Sequence, residues 1–163
     1  MLRNYGVKRI LLSIDFFLSL ILAIIFTASV YYYKIAVILL PDLATTYATV
    51  ATGMIAIVIA SLTILVSISD DNFIVLLKKI KVYDNILFTF WYSSILSGLS
   101  IAIDIGAYVF TKVTLSHHII NLIIIFLITF FTTYSVIAVI LAIGAAMRYG
   151  LYRAEYASLK EKK

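Results

Sequence analysis

ILFTFWYSSILSGLSIAIDIGAYVFT, residues 86–111, is the stretch on which the fold turns. A bilayer-crossing α-helix needs about 20 predominantly apolar residues, and this run exceeds that with a single charge, Asp104. Ser93, Ser97, Ser100 and Asp104 recur at intervals of four, three and four, which stacks them on one helical face, and Ala107 continues it. A polar stripe ending in a carboxylate points away from lipid tails, toward a bundle interior, a subunit interface or water.

Three further runs have the same character. Ile10 to Tyr33 has Asp15 as its only charge and ends in Tyr31, Tyr32 and Tyr33, residues that favour the membrane–water interface. Thr46 to Ile68 and His118 to Met147 carry no Asp, Glu, Lys or Arg. The expected spans are therefore 10–33, 46–68, 86–111 and 118–147, an all-α integral membrane protein built as a four-transmembrane-helix bundle. The runs are too long for barrel strands of about 9 to 11 residues and lack their alternation. The first run follows a basic segment as a secretory signal does, but it is too long and no clear small-residue cleavage site follows, so it is expected to stay as a helix.

Composition agrees. Of 163 residues, 64% are hydrophobic and 13% charged, against about 45–50% and about 25% in soluble domains. The mean hydropathy is +1.11. Four spans nearly fill the chain, which leaves a single membrane domain with a basic tail, 148–163, and no room for a nucleotide-hydrolysing or dinucleotide-binding unit. The chain has no Cys, hence no thiolate zinc site, iron–sulfur cluster or cysteine nucleophile. Gln is absent, Glu scarce, and Ile, Lys and Tyr plentiful, a bias in the thermophilic direction.

The net charge of +5 does not indicate nucleic acid, because the charges sit at the ends of apolar runs. Arg3, Lys8 and Arg9, then Lys78, Lys79 and Lys81, then Arg148, Arg153, Lys160, Lys162 and Lys163 fall on one side, against Lys34 and Lys112 on the other. Short loops rich in Lys and Arg stay in the cytoplasm. Both termini and the central loop are thus expected there, with the spans in the cell membrane.

Two connections carry information. Ser69, Asp70, Asp71 and Asn72 form a helix start with a cap and first-turn acids. Phe73, Leu76, Leu77 and Ile80 then recur at helical spacing, with Lys78, Lys79 and Lys81 off that stripe. This predicts a short amphipathic helix between spans two and three that holds its lysines against anionic headgroups. Between spans one and two, Ile35 to Leu40 is too short to cross, and Pro41 is expected to end or bend a helix, so that segment should lie in the interface or re-enter shallowly.

Asp104 is the candidate cation or proton site, or else a neutral carboxyl gluing helices, with Tyr108 as a possible hydrogen-bond partner. Asp15 heads a ladder with Ser19, Ala23 and Thr27 and is expected to pair with Arg148 at the inner end of span four. Small residues four apart, Thr52, Ala56 and Ala60 on span two and Ala138, Ala142 and Ala146 on span four, indicate close helix approach. His117 and His118 point about 100° apart on a helix and cannot readily grip one metal or haem. Asp15 and Asp104 lie toward opposite surfaces, so no hydrolytic pair assembles. No catalytic, cofactor or metal site is expected. The leading reading is an oligomeric ion or small-solute conduction protein with its path at a subunit interface lined by span three. The alternative is a non-catalytic accessory or scaffold subunit of a larger membrane complex. Expected partners are the bilayer with its anionic headgroups and either further copies or other membrane subunits.

Overall fold

The computed structural model describes residues 14–67, 71–79, 82–113 and 118–161. These form α1 (Ile14–Tyr33), α2 (Ala36–Ser67), α3 (Asp71–Lys79), α4 (Val82–Val113) and α5 (His118–Glu161). No strand occurs among the described residues. Four of the helices, α1, α2, α4 and α5, are long and apolar enough to cross a membrane.

A 3.5-residue rhythm explains how they pack. On α4, Ile86, Phe90, Ser93, Ser97, Ser100, Asp104 and Ala107 are all buried, and their intervals alternate between four and three. On α5 the same rhythm runs through Asn121, Ile125, Ile128, Thr132, Ser135, Val139, Ala142 and Tyr149. Ala44, Ala51, Val58 and Leu65 of α2 are buried at steps of seven. Such heptads keep one seam facing its partners and favour a left-handed supercoil. Contacts between Met54 and Ser135, Ser97 and Ser135, and Ser100 and Thr132 set the register. They make α4 antiparallel to α5, and the clusters that join Ala44 to Ile125 at one end and Leu65 to Ala142 at the other make α2 parallel to α5. Helix α1 lies outside this trio, docked on α5 through Phe16 against Phe130 and Tyr134.

The core has three storeys. One apolar cluster, with Val30, Leu40, Ala44, Ala107, Ile125 and Ile128, closes the end near the α1–α2 connection. Another, with Val58, Leu65, Phe90, Val139, Ala142 and Tyr149, closes the α3 end. Ser93, Ser97, Ser100 and Asp104 of α4 and Thr129, Thr132 and Ser135 of α5 lie between them.

Two boundaries differ from the sequence reading. The stretch before residue 46 is not a separate interfacial segment: α2 begins at Ala36 and runs through Pro41. Proline fixes a helical φ and removes one N–H, and near the helix start this deprives only the Val37 carbonyl, four residues back, of a partner. The corner before it is tight. Lys34 adopts a left-handed φ of 55°, its N–H bonds the Tyr31 carbonyl at 3.1 Å, and the Leu39 N–H bonds the Ile35 carbonyl at 3.0 Å. Second, the helix of the fourth span does not stop at residue 147 but continues into the basic tail, to Glu161. Its buried face persists there: Phe73 of α3 meets Tyr149 edge to face and Tyr156 at a tilt, and the Arg153 guanidinium lies 5.4 Å from the Phe73 ring centre. Residues 1–13, Ser69, Asp70, Ile80, Lys81, His117, Lys162 and Lys163 lie outside the described residues, as do the side chains of Lys112, His118 and Lys160.

Candidate functional site

The middle storey gathers the polar stripe read from the sequence. Ser93, Ser97, Ser100 and Asp104 are all 0% exposed, so the stripe faces the interior of its own chain. In a helix whose buried seam repeats every 3.5 residues, these positions are the seam.

The hydroxyls form two directed chains. Ser100 donates to Asp104 Oδ2 at 3.2 Å, and its one proton being used, its 3.1 Å contact with Thr132 has Thr132 as donor. Ser135 donates to the Met54 sulfur at 3.7 Å, so Ser97, 2.7 Å away, donates to Ser135. Ser93 turns back on its own helix and donates to the Phe90 carbonyl at 3.0 Å. Thr132 and the Ser97–Ser135 pair thus tie α4 to α5, while Ser93 ties nothing across.

Asp104 Oδ1 is buried with no hydrogen bond of ordinary length, and Thr129 Oγ1 on α5, likewise buried, lies within reach of the Tyr47 hydroxyl. Half-buried Tyr47 reaches from α2 toward Thr129 and Asp104. The carboxylate layer therefore combines one acid, hydroxyls from three helices and an oxygen with vacant lone pairs, within an apolar surround. Oxygen donors of this kind suit a proton or a hard monovalent cation. Sequence reasoning missed Thr129, Thr132, Ser135 and Tyr47. The signal was present in the spacing of Thr132 and Ser135, three apart and in step with Ile128 and Val139 on the α5 heptad.

Other candidates part company. Asp15 and Arg148 form no ion pair among the described residues; Arg148 Nε donates to the Gly144 carbonyl at 3.3 Å. The reason is directional, since α1 docks on one side of α5 while Arg148 borders a cavity shared with α4. The ladder from Asp15 packs instead on α5 through Ser19 and Ala23, both 0% exposed, and Ser19 donates to the Asp15 carbonyl at 2.8 Å. Ala138 and Ala142 are buried as expected. Thr52, Ala56 and Ala60 face outward, because the α2 seam is the heptad through Ala51 and Val58. Lys78 and Lys79 are exposed on α3, with the Lys78 ammonium 5.7 Å from the Tyr83 ring centre. A second aromatic layer joins Tyr92 and Tyr134 by a hydroxyl–hydroxyl hydrogen bond beside Phe16 and Phe130. No group of three His, Asp or Glu side chains able to hold a metal ion occurs among the described residues. No family model, curated protein or solved structure matches the chain.

Proposed function

We propose that this is an ion-conducting or ion-coupled membrane protein in which Asp104 takes up a proton or a small monovalent cation. The observation that carries the reading is the vacant, fully buried Oδ1 of Asp104, set in a layer of hydroxyls. A carboxyl kept in an apolar core only as glue would be expected to use both its oxygens, because a buried unpaired acceptor costs about 1–3 kcal/mol. The directed chain from Thr132 through Ser100 delivers two dipoles to Oδ2 and leaves Oδ1 as the receiving atom. Entry from either surface would require side chains of an apolar storey to move.

We place the α3 end and both termini in the cytoplasm, and the protein in the cell membrane, on the basis that eleven of the 13 Lys and Arg residues fall on that side. Lys78, Lys79 and Lys81 would then rest against anionic headgroups. Assembly with further copies or other membrane subunits would use the outward faces, since the α4 stripe is occupied within the chain.

Reconstitution into vesicles with an imposed cation or pH gradient tests the reading. Wild-type protein should dissipate the gradient, and Asp104→Asn, which keeps volume but not the ionisable group, should abolish the flux while leaving the purified protein intact. Wild-type vesicles that hold every gradient, or an Asn variant as active as wild type, would sink it. A second reading, an accessory or scaffold subunit, is favoured by one observation: apolar clusters close the polar layer at both ends. Mass measurement in mild detergent distinguishes them, since different co-purifying subunits support the scaffold.

A further inference from the structure

A cavity of about 370 Å³ opens between α4 and α5 at the α3 end. Its wall is mixed: Ile86 and Ala145 give an apolar floor, and Asn85, Thr89, Arg148 and Tyr152 stand around it. Arg148 is the first charge after the uncharged run of α5, which ends at Met147. That places the guanidinium where the hydrocarbon gives way to headgroups. Its Nε is occupied by the Gly144 carbonyl, which anchors the base of the planar fork and leaves its two terminal nitrogens to other acceptors. No acidic side chain forms an ion pair with it among the described residues. The Thr89 hydroxyl is already given to the Asn85 carbonyl at 2.9 Å, so the donors left to the cavity are the Arg148 fork, the Asn85 amide and the Tyr152 hydroxyl.

We propose that this cavity binds the phosphodiester of an anionic phospholipid, with Arg148 on the phosphoryl oxygens and the first acyl carbons against Ile86 and Ala145. Three features select that ligand. With Nε taken by Gly144, the guanidinium still presents its end-on edge, whose two terminal nitrogens match two phosphate oxygens at once. The floor is apolar, which a free inorganic anion does not need and an acyl chain does. The site sits at headgroup depth, where basic pockets between membrane helices meet anionic lipid. The proposal is independent of Asp104 and of any ion flux.

The test uses full-length protein in nanodiscs of equal phosphatidylglycerol and phosphatidylcholine, followed by extraction into mild detergent and native mass measurement of the lipid that stays bound. Both lipids carry the phosphodiester, but the quaternary ammonium of choline sets a second positive charge beside the Arg148 guanidinium, so wild type should retain phosphatidylglycerol over phosphatidylcholine by about tenfold. Arg148→Gln should bring the ratio near one. Arg148→Lys, which keeps the charge but loses the fork, should fall between them, and Tyr152→Phe should lower retention modestly. Arg148 and Tyr152 are both exposed, so folding should survive, and an unchanged elution volume checks it. Equal retention of the two lipids by wild type, or a preference that persists in Arg148→Gln, would overturn the assignment. So would release of the bound lipid by excess inorganic phosphate, which would make the cavity a site for free phosphate.

Discussion

At Asp104 the arrangement of single hydrogen bonds decides what each hydroxyl is worth. Ser100 both donates to Asp104 and accepts from Thr132, whereas Ser93 returns to its own helix. Ser100→Ala should therefore destabilise the protein by about 1–3 kcal/mol, since it leaves a second carboxylate oxygen unpaired. Ser93→Ala should change stability by only a few tenths of a kcal/mol, because no helix–helix bond is lost. Thermal unfolding in detergent measures both, and equal losses would mean that the cross-helix chain contributes nothing. Lys34 offers the opposite case. Its φ of 55° suits a glycine, so Lys34→Gly should raise stability by up to about 1 kcal/mol with no change in the α1–α2 corner.

Among the elements, the seam of α4 and α5 and their lipid-facing sides should respond very differently to bulk. Ser97 and Ala142 are 0% exposed, whereas Ile140 is 60% exposed. A ring added at Ser97 or Ala142 forces backbones apart in a core that packs by close approach, so either Phe variant should unfold at a markedly lower temperature than Ile140→Phe. Glycines behave unlike what a membrane helix leads one to expect: a Cβ at Gly98 or Gly106 would meet nothing within 4 Å. Gly98→Ala should thus be accepted and gain about 0.5–1 kcal/mol from the helix backbone. Helix α3 is seated by Phe73 and Leu77, both 1% exposed and in one apolar cluster with α5. Phe73 packs on Tyr149 and Tyr156, so Phe73→Ala should cost about 3 kcal/mol and open residues 71–79 to protease.

Much of this could be read from residue order. The number of long apolar helices followed from uncharged length, and the α4 stripe from its intervals of four and three. The destination of that stripe could not, because a polar face suits a bundle core, a subunit interface or a pore equally until its partner is known. The partner was hidden in α5, where Thr132 and Ser135 sit among so many Ile and Phe residues that periodicity is drowned. The outward turn of Thr52, Ala56 and Ala60 was missed for a related reason. A run of small residues four apart and a heptad of Ala44, Ala51 and Val58 coexist on α2, and only tertiary contact chooses between them. Pro41 misled because its cost depends on position in the helix, which cannot be known before the helix start is.

For the molecule as a whole, length and sidedness make separate predictions. Helix α5 has 44 residues, about 66 Å at 1.5 Å per residue against a hydrocarbon core of about 30 Å, so it must project well beyond the bilayer at the end where α3 packs. Reporter fusions at the C-terminus and near Lys79 should read cytoplasmic and one near Asp42 external, from the Lys and Arg imbalance; an external C-terminus would break the four-span topology. The docking of α1 on α5 also sets an order in time. Helix α1 ends at Tyr33 and α5 starts at His118, so about 85 residues must be synthesised between them, roughly 4 to 17 s at about 5–20 residues per second. Helix α1 thus enters the bilayer well before the helix that seats it. Through that interval Phe16, Ser19 and Ala23 face lipid or whatever membrane factor shelters them, and a nascent chain stalled after Val113 should be the one from which such a helper is captured by crosslinks at Ala23.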